Sequence, residues 1–418
     1  MTTMPAYKAI QKGAMTKELI SEARSLFSQG LVERLSAHGL DIVESHAKGA
    51  YLYDVDGNAY IDGYSGASTY NLGRKNTSAV EVLKQSARET DHGNFVLISE
   101  EKATLASRLA DFISGDLSCS LFTVVRGEAM DAACKLARGY TGKTELISVD
   151  GGWYGETGFS MGLSDRGDKK QFGTLIPGQT IVEFNNIDAA QKSINHDTAA
   201  FILEPVQAEN HCRKADEKYL RELKLLCEHF GTLLIFDETQ TGFGRTGHKF
   251  AKDYYGVEPD ILVFGEAVTA GVFPMTGLVF TPEVKTFFDA HPLIHLCTFG
   301  GHDVGCRVAC HMLDQYDAKR PWEQTQKTGK RLMDDLRSLL QDKPEVLDSV
   351  SGMGLLVSMR FKDRDVAKDF CVAARNNGLF VVQGAVAKES VVLRPPLTIT
   401  ENEIDQLTDI VKIVMKKI

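Results

Sequence analysis

The middle of the chain alternates short apolar runs with amphipathic stretches, and this alternation restricts the fold more than any other feature. Between the apolar runs, 128–140 and 218–230 place apolar residues on one helical face. Because the runs themselves are apolar at nearly every position, we expect strands covered on both faces. The β–α alternation predicts an α/β fold with a mostly parallel, doubly wound sheet. The predicted strands are 120–125, 144–149, 180–184, 199–205, 231–238, 260–265 and 276–280.

The two ends of the chain lack this regular alternation. Residues 51–65 alternate around Asp56-Gly57-Asn58, which predicts a β-hairpin. We predict an N-terminal segment over 1–60, a large α/β domain over 61–315 and a small C-terminal α+β domain over 316–418. The C-terminal part should contain a long charged helix (321–342), a strand (354–361), a helix (364–377) and a last helix that begins with a capping box, Thr400 with Glu403.

Composition argues against several classes of partner. The chain has 418 residues and a formal net charge of −9, with Lys and Arg scattered, so neither nucleic acid nor an anionic membrane is an expected partner. No apolar run approaches the roughly 20 residues that span a bilayer, and the start of the chain lacks the apolar core of a secretory signal. The eight cysteines form no CxxC pair, so we expect thiols in a reducing compartment, no metal site and a cytoplasmic location.

The strongest local signal is IFDETQTGFGRTG at 235–247. Here a buried strand ends in two carboxylates, which are followed by a glutamine and a glycine-rich turn. Open α/β sheets place their ligands at the carboxyl ends of parallel strands. An acid at this point can hold a protonated ring nitrogen.

This segment closely resembles the class III aminotransferases of the fold-type I pyridoxal phosphate (PLP) enzymes, and the resemblance covers roughly residues 35–418. It implies the fold-type I architecture, with a large domain and a small C-terminal domain, and a homodimer with its active site at the subunit interface. Seven motifs carry it in the family's order: GAYLYDVDGNAYIDGYSGA (49–67), EAMDAACKLAR (128–138), LEPVQAE (203–209), DETQTGFGRTG (237–247), PDILVFG (259–265), TFGG (298–301) and LRPPLTIT (393–400).

The resemblance also implies roles for individual residues. Asp237 would pair with the pyridine nitrogen of the cofactor, Gln240 would contact the ring hydroxyl, and Trp153 would stack on the ring. Thr298 would reach the cofactor phosphate from the partner subunit. Arg394 lies near the position that grips a substrate carboxylate in many members. Purely structural roles stay open for Asp237 as a buried acceptor, for Trp153 in the core and for Arg394 in an ion pair.

The family's pattern breaks at its lysine, because the Gly-Lys pair after the next strand reads Gly265-Glu266 here. In the family, this lysine forms the Schiff base with PLP and carries the proton between substrate and cofactor. Glutamate forms no imine, but it can transfer protons if its pKa is tuned. We therefore expect no lysine-dependent transamination. We expect Glu266 to pair with an amine, either that of pyridoxamine phosphate (PMP) or that of the substrate.

Three further departures cluster on the same pocket. In the altered phosphate cup, Arg126 can supply charge to a phosphate, and the helix N-terminus remains. Because several parts of the pocket changed together, natural divergence is favoured over an engineered lysine-to-glutamate variant. The departures are Val125-Arg126-Gly127 in the phosphate cup, Trp153-Tyr154-Gly155 in place of Tyr-His-Gly, and His302-Asp303 in place of Asn-Pro after TFGG.

Three functions stay open. The first is an enzyme that acts on an amino acid or amino-carboxylate with non-covalent PMP or PLP and with Glu266 as the acid–base group. The second is an enzyme without a cofactor that catalyses a cyclisation, hydrolysis or elimination of an amino acid with the polar groups Glu266, Asp237, His302, Asp303, Tyr154 and Arg126. The third is a non-catalytic paralogue that serves as a binding or regulatory subunit. In the enzymes, we expect the substrate to be bound by two further residues, Arg394 and Glu204.

Overall fold

The structure is a computed structural model of the chain and describes residues 10, 12–90, 96–164 and 167–418. The strands are β1 (Glu44–Lys48), β2 (Tyr51–Asp54), β3 (Ala59–Asp62), β4 (Cys119–Thr123), β5 (Glu145–Val149), β6 (Gln179–Val182), β7 (Thr198–Leu203), β8 (Val206–Gln207), β9 (Arg213–Lys214), β10 (Leu233–Asp237), β11 (Ile261–Phe264), β12 (Thr276–Phe280), β13 (Leu347–Met353), β14 (Leu356–Phe361), β15 (Leu379–Phe380), β16 (Val382–Gln383) and β17 (Ser390–Leu393).

Short 3-10 helices lie at Gly167–Phe172 and Glu266–Thr269. The α-helices are α1 (Ala14–Leu26), α2 (Gln29–Ala37), the irregular α3 (Ser65–Ser68), α4 (Thr77–Glu89), α5 (Glu100–Ile113), α6 (Arg126–Thr141), α7 (Gly158–Leu163), α8 (Ile187–Ser193), α9 (Glu217–Phe230), α10 (Ala251–Tyr255), α11 (Pro282–Ala290), α12 (Asp303–Lys319), α13 (Pro321–Asp342), α14 (Arg364–Asn376) and α15 (Glu401–Met415).

A seven-stranded sheet with the order β4-β12-β11-β10-β7-β5-β6 forms the centre of the fold. Strands β11, β10, β7, β5 and β6 run parallel to one another, whereas β12 is antiparallel to both of its neighbours. All seven predicted strands are present, and the predicted mostly parallel sheet is confirmed. Strands β7 and β10 are buried at every position, which explains why both are mostly apolar.

Helices cover both faces of this sheet. Ile235 of β10 and Val263 of β11 pack with α6 on one face. Leu234 and Phe236, which alternate with Ile235 along β10, pack with α9 on the other face. Because successive side chains of a strand point to opposite faces, one apolar run serves two helical layers. This arrangement is the predicted doubly wound α/β fold.

The ends of the chain form two smaller sheets. Strands β2 and β3 make the predicted hairpin, and the C-terminal β15 pairs in parallel with β3, so the two ends share one sheet of order β1-β2-β3-β15. The other sheet has the order β13-β14-β17-β16 and packs with α13, α14 and α15. Helix α15 begins with the predicted capping box between Thr400 and Glu403. The domain limits at residues 60 and 315 stay predictions.

Within the described ranges, no helix has both the length and the apolar character that a membrane crossing requires. The same ranges contain no group of three or more His, Cys, Asp or Glu side chains that could hold a metal ion.

Candidate active site

Two neighbouring parallel strands bring Asp237 and Glu266 to one edge of the large sheet. Asp237 is the last residue of β10, and Glu266 follows β11 after a single residue, Gly265. A Cβ at Gly265 would lie 2.5 Å from the carbonyl oxygen of Thr239. The absence of a side chain therefore lets the chain after β11 pass directly against the loop after β10, which places Glu266 beside the Asp237 segment.

A cavity of about 450 Å³ opens at this edge of the sheet. Five residues that the sequence analysis selected line it: Arg126, Trp153, Gln240, Glu266 and Arg394. The lining also includes Tyr64, Thr239, Glu209, Arg34 and Lys388, of which Arg34 and Lys388 are exposed. The structure thus brings together residues from widely separated segments of the chain.

Arg126, the first residue of α6, lies between two buried carboxylates. Its Nε and Nη2 atoms each lie 2.9 Å from Oδ2 of Asp237, and Nη2 lies 3.2 Å from Oε2 of Glu204. Burial opposes the charge of Arg126, but the two carboxylates outweigh this effect and raise the pKa of the guanidinium above its usual value. The sequence analysis expected this side chain at a phosphate, and the structure places it on the Asp237 carboxylate.

Both oxygens of Asp237 are engaged. Oδ2 accepts from Arg126, and Oδ1 accepts from the backbone N–H of Thr239 at 3.0 Å and from its hydroxyl at 2.7 Å. These contacts fix the orientation of the carboxylate, because each oxygen is held from a different direction. Asp237 is therefore part of a closed, charge-balanced pair with Arg126.

Glu204 is buried and does not line the cavity. Its Oε1 accepts a 2.7 Å hydrogen bond from the backbone N–H of Trp153. Burial raises the pKa of Glu204 above its usual range, the guanidinium of Arg126 opposes this effect, and the nearby Asp237 adds to it. Its contact with the Trp153 backbone fixes the segment that carries the indole on the cavity wall.

Glu266 is half-buried on the cavity wall. Burial is the main cause that raises the pKa of its carboxyl group, and the charge of Asp237 adds to it, whereas its own backbone N–H and Arg126 lower the pKa. The net shift is upward, so Glu266 keeps its proton to a higher pH than an exposed glutamate.

The opposite side of the pocket is organised around Arg394, which is fully buried after β17. Its Nη2 lies 2.8 Å from Oε1 of Glu209, its Nη1 donates to Oε1 of Gln240, and its guanidinium lies 4.7 Å from the centre of the Tyr64 ring. The pKa of Glu209 is lowered because Arg394 and the backbone N–H of Ala385 outweigh the effect of burial. The sequence analysis gave Glu209 no role, although the available signal was a glutamate at the end of the motif LEPVQAE.

In the enclosed wall of the pocket and directly behind it, acids outnumber bases. Its two guanidiniums, Arg126 and Arg394, face four carboxyl groups in the described residues. These are Glu204, Glu209, Asp237 and Glu266. Two of the acids, Glu204 and Glu266, have raised pKa values, mainly because burial disfavours the charged carboxylate, and the charge of Asp237 adds to this effect.

Besides Asp237 and Glu204, four predicted site residues do not line this cavity. Tyr154 is fully buried, and its hydroxyl lies 3.4 Å from the carbonyl oxygen of Ile202. His302 is buried at the start of α12, with its ring 5.3 Å from that of Phe273. Thr298 is exposed in the turn before α12. Gly127 is buried, and a Cβ at Gly155 would lie 2.5 Å from its Cα.

The sequence matches the model of one family, described as aminotransferase class-III, over residues 34–415. An uncharacterized aminotransferase from Archaeoglobus fulgidus is 33% identical over 371 residues, which are 89% of this chain and 87% of that protein. A putrescine aminotransferase from Pectobacterium atrosepticum is 32% identical over 421 residues, which cover 97% of this chain and 90% of that protein.

Solved structures of aminotransferases are also similar to this chain. The ornithine aminotransferase from Toxoplasma gondii superposes with a TM-score of 0.89 at 25% identity and covers 97% of this chain and 96% of its own. Another structure of that enzyme has PLP at partial occupancy in its active site. An (S)-enantioselective omega-transaminase from Thermomicrobium roseum also reaches a TM-score of 0.89, at 26% identity, with 98% and 99% of the two chains covered.

Proposed function

The chain belongs to the class III aminotransferase family, and on that premise we propose an enzyme that acts on an amino acid or amino-carboxylate with Glu266 as its acid–base group and without a lysine-linked cofactor. The observation that carries the proposal is the position of Glu266. It follows the strand next to the Asp237 strand, after a single glycine, on the wall of the cavity. In the family's motif order, this is the place of the Schiff-base lysine.

The environment of Glu266 suits proton transfer. Burial raises the pKa of its carboxyl group, so both protonation states are accessible closer to neutral pH than for an exposed glutamate. We infer that Glu266 takes a proton from the substrate in one step and returns a proton in another, in a cyclisation, hydrolysis or elimination.

The charge distribution favours a substrate that carries an amine. Four carboxyl groups face two guanidiniums in the enclosed part of the pocket, and both guanidiniums are already paired. A substrate ammonium beside Glu266 would reduce this imbalance. A substrate carboxylate at Arg394 would compete with Glu209, which lies 2.8 Å from the guanidinium. Among the relatives, a putrescine and an ornithine aminotransferase are named for amine-bearing compounds.

A PLP or PMP ring whose nitrogen pairs with Asp237 does not fit the site as it stands. Arg126 already contacts Oδ2 of Asp237 with two nitrogen atoms, and Thr239 holds Oδ1. We therefore infer chemistry without a cofactor. Non-covalent PMP or PLP is the second candidate because Trp153 and Gln240 line the same cavity as Glu266, but it requires Arg126 to leave Asp237.

The test uses purified full-length protein without added cofactor. A panel of amino acids, amino-carboxylates and diamines, including ornithine and putrescine, is incubated with the protein and followed by mass spectrometry. Cyclisation and elimination release water or ammonia from the substrate, whereas hydrolysis adds water. We expect Glu266→Gln to lower turnover by about 10²-fold or more, because the amide cannot transfer the proton.

The matched control is Glu283→Gln, the same substitution at an exposed glutamate in the first turn of α11. It should turn over substrate at the wild-type rate. Equal rates for wild type and Glu266→Gln would refute the role of Glu266. Turnover that requires added PMP or PLP would refute the cofactor-free chemistry, and a protein that binds amines without converting them would be a non-catalytic paralogue.

A further inference from the structure

The inference concerns Arg126 and rests on the proposed function only in treating the cavity as the active site. Arg126 has a side chain that is 12% exposed, reaches the cavity wall and contacts two carboxylates that are almost completely buried. Its Nε and Nη2 atoms both lie 2.9 Å from the same oxygen of Asp237.

Two buried carboxylates need a cation. Asp237 ends β10, Glu204 directly follows the neighbouring strand β7, and the two carboxylates share the guanidinium of Arg126. Removing a charge partner from a buried acid leaves that acid uncompensated, which is strongly unfavourable. Some positive group must therefore lie at this point whenever Asp237 is ionised.

In the family that the sequence resembles, this positive group is the protonated ring nitrogen of the cofactor. We propose that Arg126 takes its place here as a built-in cation, so that Asp237 has its charge partner without a cofactor and the pocket disfavours ligands with a pyridinium ring. The guanidinium and a ring nitrogen compete for the same oxygen of Asp237, because Thr239 occupies the other oxygen.

The proposal has a structural consequence for the ligand. A guanidinium that is held by Asp237 keeps its position when the cavity is empty, whereas a ring cation arrives with the ligand. The cavity of about 450 Å³ is therefore available to a substrate alone, and that substrate needs no cationic ring to balance Asp237. In the proposed function the substrate ammonium lies near Glu266, which also lines the cavity.

The test measures PMP binding to the full-length protein by isothermal titration calorimetry. Wild type should bind PMP weakly or not at all, and Arg126→Met, which keeps the apolar stem and loses the charge, should bind at least about tenfold more tightly. Arg126→Lys keeps a positive charge and should resemble wild type. The matched control is Arg74→Met, which removes another buried arginine shared by two acids, Asp62 and Glu44, away from the cavity.

Several outcomes would overturn the proposal. One is wild-type protein that binds PMP as tightly as Arg126→Met does. Another is a folded Arg126→Met protein that binds PMP as weakly as wild type does. If Arg126→Met does not fold, as judged by circular dichroism, the wild-type titration decides, since micromolar binding of PMP contradicts a site closed by Arg126. If wild type binds PMP and its turnover depends on Glu266, the role of Arg126 is overturned but the proposed function stands. If wild type does not bind PMP and its turnover is independent of Glu266, the proposed function is overturned but the role of Arg126 stands.

Discussion

At the scale of single residues, we expect Glu266 to determine how kcat/KM depends on pH. Burial raises the pKa of its carboxyl group above the usual value of 4.5. If Glu266 acts as the base, kcat/KM should rise with pH through an apparent pKa that lies above that value, because the base must be ionised. A pH–rate profile between about pH 4 and 9 checks this. The rising limb should be absent from the residual activity of Glu266→Gln, and an unchanged limb in that variant would assign it to another group.

Contacts and burial of individual side chains were the features that the sequence predicted least well. Asp237 and Glu266 could be placed together because each follows a recognisable strand. The contact of Arg126 with Asp237 could not be predicted, because it depends on which carboxylates lie near the start of α6 in space. The burial of Tyr154 was equally hidden, since a tyrosine after an aromatic residue in a loop gives no sign of its direction.

At the scale of elements, the turn after β11 depends on Gly265. A Cβ at this residue would lie 2.5 Å from the carbonyl oxygen and 3.1 Å from the Cα of Thr239, and these backbone atoms cannot move independently. We expect Gly265→Ala to lower the free energy of unfolding by about 1–3 kcal/mol and to reduce turnover, because Glu266 would be displaced. Urea unfolding and steady-state kinetics measure the two effects.

Gly30→Ala is the control for this substitution. Gly30 lies in α2 with nothing within 4 Å of its Cβ position, so alanine there should be neutral or stabilise the protein by up to about 1 kcal/mol. A Gly265→Ala protein with wild-type stability and turnover would show that the close approach to Thr239 does not position Glu266.

The β8–β9 hairpin is attached to the C-terminal sheet through a histidine. His211 lies between the hydroxyls of Ser349 and Ser358, each 3.0 Å from a ring nitrogen. Burial, assisted by Arg360, lowers the pKa of His211 to about 4. The pKa of His211 is thus lower in the folded protein than in the unfolded chain. The contribution of neutral His211 to the stability of the fold is therefore complete above about pH 6.5 and is lost as the pH falls through about 4.

We therefore expect wild type to lose about 2 kcal/mol more stability than His211→Gln between about pH 7 and pH 4.5. Glutamine does not titrate, so this component of the pH dependence disappears in the variant. Urea unfolding at the two pH values gives the comparison. A pH dependence that is identical in both proteins would show that His211 does not titrate differently on folding.

Element types were predictable where the local pattern determines them. The seven strands of the large sheet are mostly apolar, and Thr400 with Glu403 marks the start of α15. The antiparallel direction of β12 was not predictable, because an apolar run carries no information about strand direction. Strand β15 could not be predicted either, because two residues that pair with a strand more than 300 positions away leave no periodic pattern in the sequence.

At the scale of the whole molecule, two exposed apolar segments lie next to each other. Val96, Leu97 and Ile98 precede α5, and Leu296 and Phe299 precede α12. Ser99 donates a 2.6 Å hydrogen bond to Asp303, which joins the two segments. Large adjacent apolar side chains on a surface indicate a contact with another molecule. Thr298, which the family resemblance assigns to a partner's site, lies within the second segment.

We propose that this surface is covered by a second copy of the chain. The expected result is a particle of twice the 46.0 kDa chain mass in size-exclusion chromatography with light scattering. Ile98→Glu with Phe299→Glu should shift the mass towards that of one chain, because two buried charges would face an apolar contact. Leu225→Glu, which changes an exposed leucine on α9, should stay dimeric. A wild-type protein with the mass of one chain would contradict the proposal, and so would a double variant that keeps the dimer mass, because the contact would then lie elsewhere.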